Sequence, residues 1–195
     1  MKRTRLPKFK NPPLPPPKKL AKEVLVVLAN DPSMTGWGWV VLNSRNDILA
    51  KGCIKTEPRH KKLRIRKGDD TTRRIGEIVE ALLDAIRLYE VNYLLSELPH
   101  GSQNANAATM IGMVTAIIQT ISVTLDIATE WFSEGDCKKE ALGKRAAVKR
   151  EMIEAMDKIY NVEWTGIKYK DEAVADALAV HNVASKQSPM LKLFR

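Results

Sequence analysis

The stretch that decides the fold is residues 24–38, VLVVLANDPSMTGWG. Its first six residues are all apolar, and three of them are valine. A short apolar run that ends at a turn is typical of a strand buried on both faces in the centre of a sheet. The pattern places Asp31 at the end of this strand, directly before the turn through Pro32 and Gly36.

Further elements are predicted outward from this strand. Asp69 or Asp70 is expected to cap an amphipathic helix. Three strands followed by alternating helices and strands predict an α/β layer fold with a mixed sheet. The other expected strands span residues 37–42, 48–56, 91–97 and 124–132, and the later helices span residues 104–122, 138–160 and 171–185.

The composition indicates a basic protein without a disulfide framework. The 195 residues include 32 Lys and Arg against 23 Asp and Glu, a net charge of +9, and such proteins tend to bind nucleic acid. Two cysteines, Cys53 and Cys137, stand outside any CxxC spacing, so a reducing cytoplasm fits best. Residues 107–128 are apolar enough to suggest a membrane span. Because Gln119 and Asp126 interrupt them, we expect a buried helix running into a buried strand and no membrane.

Residues 1–22 form a separate compositional zone. They contain eight Lys or Arg residues, no acidic residue and the run PPLPPP at 12–17. Because proline fixes φ and removes a hydrogen-bond donor, this zone is predicted to be a disordered or extended arm. It could lie along DNA phosphates or serve as a solubilising tail. The folded domain is expected at residues 23–187, followed by a C-terminal tail at 188–195.

Three carboxylates stand at informative positions. Asp31 and Glu97 each end an apolar strand, and Asp176 lies in the apolar run AVADALAV at 173–180. Taken singly, each could be a turn, strand-end or surface residue. If the two strands are adjacent and the last helix packs on their ends, the three acids converge and need divalent cations to neutralise them. Two such ions can activate a water and stabilise the leaving oxygen of a phosphodiester.

Four segments, in this order, resemble the motifs of RuvC-type Holliday-junction resolvases, the second of them in the form found in phage-like members. Residues 30–38 are similar to the first motif and residues 96–105 to the second. Residues 137–143, with Lys149 eleven residues after Lys138, are similar to the lysine-bearing segment, and residues 175–179 to the final motif. Each motif alone is weak, and the ordered set, which covers residues 24–185, is fairly specific.

The resemblance implies an RNase H-like fold with a mixed five-stranded sheet flanked by helices. It implies a crossover junction endodeoxyribonuclease that works as a homodimer on four-way or branched DNA, in the cytoplasm of a bacterium or a phage-infected host. It also implies two Mg²⁺ ions, for which Mn²⁺ can substitute, with Asp31, Glu97 and Asp176 as ligands. Lys138 and Lys149 would then contact the scissile or nearby phosphates.

The fourth ligand departs from the family pattern. The family usually has an acid or a histidine three residues before the last aspartate, and this chain has Ala173 there. Glu172 lies one helical turn from Asp176 and on the same face, so we predict that it fills in. Asp171 is the more natural helix cap and stays the alternative ligand.

Other functions remain open at this point. A non-catalytic protein that binds branched DNA is one alternative, and a nuclease for flaps or RNA–DNA hybrids is another. An actin-like ATPase fragment shares part of the first motif but would need a second glycine-rich phosphate loop. In each DNA-binding reading, phosphate contacts from the arm, residues 55–67 and residues 138–150 would make the affinity fall steeply with salt.

Overall fold

The computed structural model of the chain describes residues 25–59, 64–145 and 148–193. The basic arm expected at residues 1–22 and part of the basic loop, residues 60–63, lie outside them. The strands are β1 (Val26–Asp31), β2 (Gly36–Asn43), β3 (Ile48–Lys55), β4 (Tyr93–Leu98) and β5 (Ala128–Ser133). The helices are α1 (Lys67–Leu88), α2 (Ala105–Leu125), α3 (Glu134–Leu142), α4 (Lys149–Tyr160), α5 (Lys168–Gln187) and α6 (Pro189–Leu193).

The five strands form one mixed sheet in the order β3-β2-β1-β4-β5. The first three strands are antiparallel neighbours, and β1, β4 and β5 run parallel. This confirms the predicted α/β fold with a mixed five-stranded sheet. Because β1 and β4 are parallel neighbours, their carboxyl ends meet at the same edge of the sheet.

Two apolar layers cover the two faces of the sheet. Val27 and Ala29 of β1 pack with Leu95 of β4 in the layer beneath α3, α4 and α5. The alternate residues Leu28 and Leu94 pack with α1 and α2 in the opposite layer. Since side chains alternate across a strand, Asp31 and Glu97 fall on the same face as Ala29 and Leu95, which is the face of α5.

The apolar segment 107–128 is less buried than the sequence analysis expected. α2 buries four side chains against the sheet, Val114, Ile117, Ile118 and Ile121. By length and composition alone this helix could cross a membrane. However, only one of its faces is buried, and β5 after it is half-buried, so the expectation of a buried helix and a buried strand was wrong.

Two predicted helix starts also differ. α1 begins at Lys67 with Arg66 at the N-cap, so Asp69 and Asp70 lie in its first turn and do not cap it. α3 begins at Glu134, four residues before the predicted start, because the Ser133 side chain accepts a hydrogen bond from the Asp136 amide. The C-terminal segment contains α6, whose Leu191 is buried.

Candidate active site

Asp31, Glu97 and Asp176 meet at the edge where β1 and β4 end. The register pairs Asn30 with Ser96, so the next residues, Asp31 and Glu97, stand side by side. Asp176 comes to them from α5, which packs on the same face of the sheet. In the buried stretch of α5 from residue 173 to 185, Asp176 is the one residue that keeps partial exposure. The convergence predicted from the strand ends and the last helix is therefore seen in the structure.

Two cavities adjoin at these acids. The smaller, about 80 Å³, is lined by Glu97 and Asp176 together with Lys138 and Lys149. The larger, about 420 Å³, is lined by Asp31 and again by Asp176 and Lys149. Asp176 and Lys149 border both cavities, so the two cavities lie side by side, and together they are called the cleft below.

Burial raises the pKa of all three carboxyl groups, and repulsion from neighbouring carboxylates adds to it. Burial, followed by the charge of Asp176, raises the pKa of Asp31 from 3.8 to about 7. Burial and then Asp31 raise the pKa of Glu97 from 4.5 to about 9. Burial raises the pKa of Asp176 to about 6, against an opposing effect of Lys149 and Lys138. The nearby lysines therefore do not offset the cost of ionising all three carboxyl groups, and a bound cation would lower that cost.

The donor chemistry of the cluster fits a hard divalent cation, since Mg²⁺ and Mn²⁺ prefer carboxylate oxygens. Within the part of the chain that the structure describes, no three acidic, histidine or cysteine side chains form a ready-made metal site. The three acids thus border a common cleft with uncompensated charge but do not stand in a finished coordination shell.

Glu134 is an acidic residue at this site that the sequence analysis missed. It is the first residue of α3, lines the smaller cavity and contributes to the raised pKa of each of the three acids. Its Oε1 accepts a hydrogen bond from Lys138, and its Oε2 lies 3.1 Å from His100 Nε2. Glu134 was missed because the sequence pattern was taken to predict a helix that starts at residue 138. The pattern Ser133-x-x-Asp136, a serine cap with an acid three residues later, was the signal that could have revealed it.

The two predicted lysines both border the cleft. Lys138 approaches from α3, where Glu134 holds its ammonium group. Lys149 is the first residue of α4, and its Nζ lies 3.5 Å from Glu172 Oε2. Each lysine ammonium group is therefore paired with a carboxylate, and both lie near Asp176.

The three residues considered for the fourth-ligand position have different surroundings. Glu172 lines the larger cavity with Asp31 and Asp176, and its side chain is 15% exposed. Asp171 is turned toward the preceding loop, where its Oδ1 accepts hydrogen bonds from the amide and the hydroxyl of Thr165 at 2.9 and 2.7 Å. It does not cap α5, whose N-cap is Ile167. Ala173 is buried against the sheet.

The family model of the crossover junction endodeoxyribonuclease RuvC matches residues 27–183. A RuvC protein from Ehrlichia chaffeensis is 26% identical over 154 residues, which cover 78% of this chain and 93% of that protein. A RuvC protein from Shewanella woodyi is 24% identical over 166 residues, covering 84% of this chain and 89% of that protein.

Solved structures show the same fold. The structure of T. thermophilus RuvC in complex with a Holliday junction substrate has a TM-score of 0.66 at 18% identity, covering 85% of this chain and 96% of that chain. The yeast mitochondrial Holliday junction resolvase has a TM-score of 0.59 at 12% identity, covering 87% and 81%.

Proposed function

The chain belongs to the RuvC family of crossover junction endodeoxyribonucleases, and from that premise we propose that it hydrolyses phosphodiesters of Holliday junctions or other branched DNA. The observation that supports this activity is the shared cleft of Asp31, Glu97 and Asp176. Uncompensated, half-buried carboxylates at the end of a sheet are suited to divalent metal and to phosphate chemistry. We place the reaction in the cytoplasm of a bacterium or a phage-infected host cell.

Asp31, Glu97 and Asp176 would hold two Mg²⁺ or Mn²⁺ ions, with Glu172 as the fourth ligand. When bound, such ions supply an activated water and stabilise the charge on the leaving oxygen. Glu172 is supported by its position in the cavity of Asp31 and Asp176. Its ion pair with Lys149 would open when a metal ion competes for the carboxylate.

Lys138 and Lys149 would bind oxygens of the scissile or an adjacent phosphate. Both ammonium groups already stand at the cleft, and each is held by an acid, Glu134 or Glu172. The lysines would bind the negatively charged phosphate when it enters the cleft. They would also stabilise the charge that develops on the phosphoryl oxygens during the reaction. The acids and the lysines therefore have separate tasks, metal binding and phosphate binding.

The DNA strand would reach this cleft along basic residues at its rim. Lys55 lines the larger cavity, and its Nζ lies 4.9 Å from the centre of the Tyr169 ring, which lines the same cavity. The described part of the loop after β3 also contains Arg59, Arg64 and Arg66, all exposed. Binding dominated by such phosphate contacts loses affinity as salt rises, with a slope near −0.9 per phosphate neutralised.

We further propose that the chain acts as a homodimer. Resolving a four-way junction takes two nicks in two strands, while the described residues of one chain contain one cluster of Asp31, Glu97 and Asp176. Two copies related by a two-fold axis would supply the two sites.

A cleavage assay on a synthetic four-way junction tests the proposal, with duplex, flap and RNA–DNA hybrid substrates beside it. The expected result is paired, symmetric nicks in the junction, present with Mg²⁺ and absent with EDTA. Preferential cutting of flaps or hybrids would support the nuclease activity but assign it a different substrate. Tight junction binding without cutting in Mg²⁺ or Mn²⁺ would contradict the catalytic proposal and favour the non-catalytic alternative.

A further inference from the structure

Arg74 of α1 is a buried guanidinium at the turn that follows Asp31. The residue is 8% exposed. Its Nε donates to Thr56 Oγ1 at 2.8 Å, and its Nη2 donates to the carbonyl of Met34 at 2.9 Å and to Thr35 Oγ1 at 3.2 Å. The side chain therefore joins α1, the end of β3 and the turn between β1 and β2.

All of these partners are neutral oxygens. Among the described residues, no carboxylate lies within ion-pair distance of Arg74. Asp70, one helical turn earlier, interacts with its charge at longer range and is itself paired with Arg73. Burying a charge without a partner of opposite sign is unfavourable, and neutral hydrogen bonds offset only part of that cost. A structural clamp would need the hydrogen bonds but not a buried charge without a direct ion pair. Binding of an anionic ligand would explain why a charged group is buried at this position.

A cavity gives an anion access to this guanidinium. It has a volume of about 370 Å³ and is lined by Arg74, Ser33 and Thr35 on one side and by α2 on the other. Ser33 and Thr35 also line the larger cavity that contains Asp31 and Asp176. The turn between β1 and β2 thus separates the two cavities and contributes hydroxyl groups to both.

We propose that Arg74, with the hydroxyls of Ser33 and Thr35, forms a binding subsite for a backbone phosphate of the DNA strand being cut. This inference rests on the proposed nuclease function. A strand whose scissile phosphate lies at the acids would continue past the turn, so that a neighbouring phosphate reaches the Arg74 cavity. Guanidinium and hydroxyl donors are well suited to phosphate oxygens. The subsite would fix the register of the strand and carry no sequence preference.

The test is the salt dependence of junction binding, measured without divalent metal so that no cutting occurs. Arg74→Gln is expected to lower the magnitude of the slope of log K against log salt by about 0.9, the value for one phosphate contact. It should weaken binding by a similar factor for junctions of different sequence. Arg74→Lys keeps the charge and should keep the slope. Arg87→Gln is the matched control, since Arg87 is an exposed arginine in the last turn of the same helix, and it should leave slope and affinity unchanged.

A second measurement does not depend on the folding of Arg74→Gln. The side-chain Nε–H resonance of Arg74 in the unaltered protein, assigned by its loss in Arg74→Lys, should shift when junction DNA is added. An unchanged slope in folded Arg74→Gln, or an unshifted resonance in the presence of bound junction, would contradict the proposed subsite. Neither result would contradict the proposed nuclease activity. If the unaltered protein neither binds nor cuts branched DNA, the proposed function fails, and the subsite fails with it.

Discussion

Gly38 of β2 packs directly against the backbone of Ala173 in α5: a β carbon added to Gly38 would stand 1.9 Å from the Ala173 carbonyl oxygen. Gly38 is also the register partner of Asp31. The absence of a side chain at Gly38 therefore lets α5 approach the sheet closely at the level of Asp31. This close approach brings Asp176, one turn further along α5, into the cleft.

Gly38→Ala is expected to force α5 away from the sheet. We predict a loss of unfolding free energy at the upper end of about 1–3 kcal/mol, the usual cost of overpacking. Because the proposed metal ligands come from the sheet and from α5, metal-dependent cleavage should fall more steeply than stability. Chemical unfolding and cleavage rates measured on the same variant check this.

Gly76→Ala is the control for that substitution. Gly76 lies in α1, and nothing stands within 4 Å of the position that its β carbon would take. Alanine is the better helix former by about 0.5–1 kcal/mol, so this variant should be neutral or slightly more stable. Equal behaviour of the two variants would contradict the packing explanation.

The raised pKa values predict that the metal-free protein loses stability as the pH rises. Asp31, Glu97 and Asp176 have pKa values of about 7, 9 and 6 in the folded chain, against ordinary values of 3.8, 4.5 and 3.8. Between about pH 4 and pH 9 the folded chain therefore holds protons that the unfolded chain has released. The free energy of unfolding should fall across this window.

Urea unfolding of the chelated protein at several pH values measures this effect. The fall should be smaller in Glu97→Gln, which cannot ionise, and Mg²⁺ should restore stability at the alkaline end by binding the folded state. Stability that rises from pH 5 to pH 9 in the chelated wild type would contradict the electrostatic account of the cleft.

Glu172→Gln tests the fourth ligand. We expect the Mg²⁺ concentration for half-maximal cleavage to rise by about tenfold, with cleavage retained at high Mg²⁺, because the three other acids remain. Glu163→Gln, an exposed residue in the loop before α5, should change nothing. If Glu172→Gln leaves the Mg²⁺ requirement unchanged and Glu134→Gln raises it, Glu134 takes the place of the fourth ligand.

Lys138→Met tests the phosphate-binding role. Loss of a cation that stabilises transition-state charge is expected to lower the cleavage rate by about a hundredfold at saturating Mg²⁺. Binding of Mn²⁺, followed by calorimetry, should be retained. Lys158→Met, on an exposed part of α4, is the control with the same charge change. An unaltered rate in Lys138→Met would remove this lysine from the mechanism.

The sequence was most informative where a local pattern and a tertiary environment agree. The strand before Asp31 is apolar because both of its faces are buried, so its pattern predicted its central place in the sheet. Asp176 stood out for the same reason, since an acid within a fully apolar run contradicts its surroundings unless it has a function. The convergence of Asp31, Glu97 and Asp176 followed once β1 and β4 were taken as neighbours.

Other features depend on distances that the sequence does not contain. Glu134 reaches the cleft only because α3 starts directly at the end of β5, and Arg74 looks like an ordinary charge on an amphipathic helix until its partners are known. Burial of α2 was overestimated because its apolar residues continue around the helix, while the sheet covers one face. These are properties of packing, and periodicity alone does not determine them.

The most direct test of the central claim is junction cleavage by the wild type and by Asp31→Asn, each with Mg²⁺ and with EDTA. Asp126→Asn, at the exposed C-cap of α2, where asparagine is readily accommodated, serves as the control. The account predicts Mg²⁺-dependent paired nicks from the wild type and from Asp126→Asn, and uncut junction with folded Asp31→Asn. Cleavage by Asp31→Asn at the wild-type rate, or equal cleavage in EDTA, would contradict it.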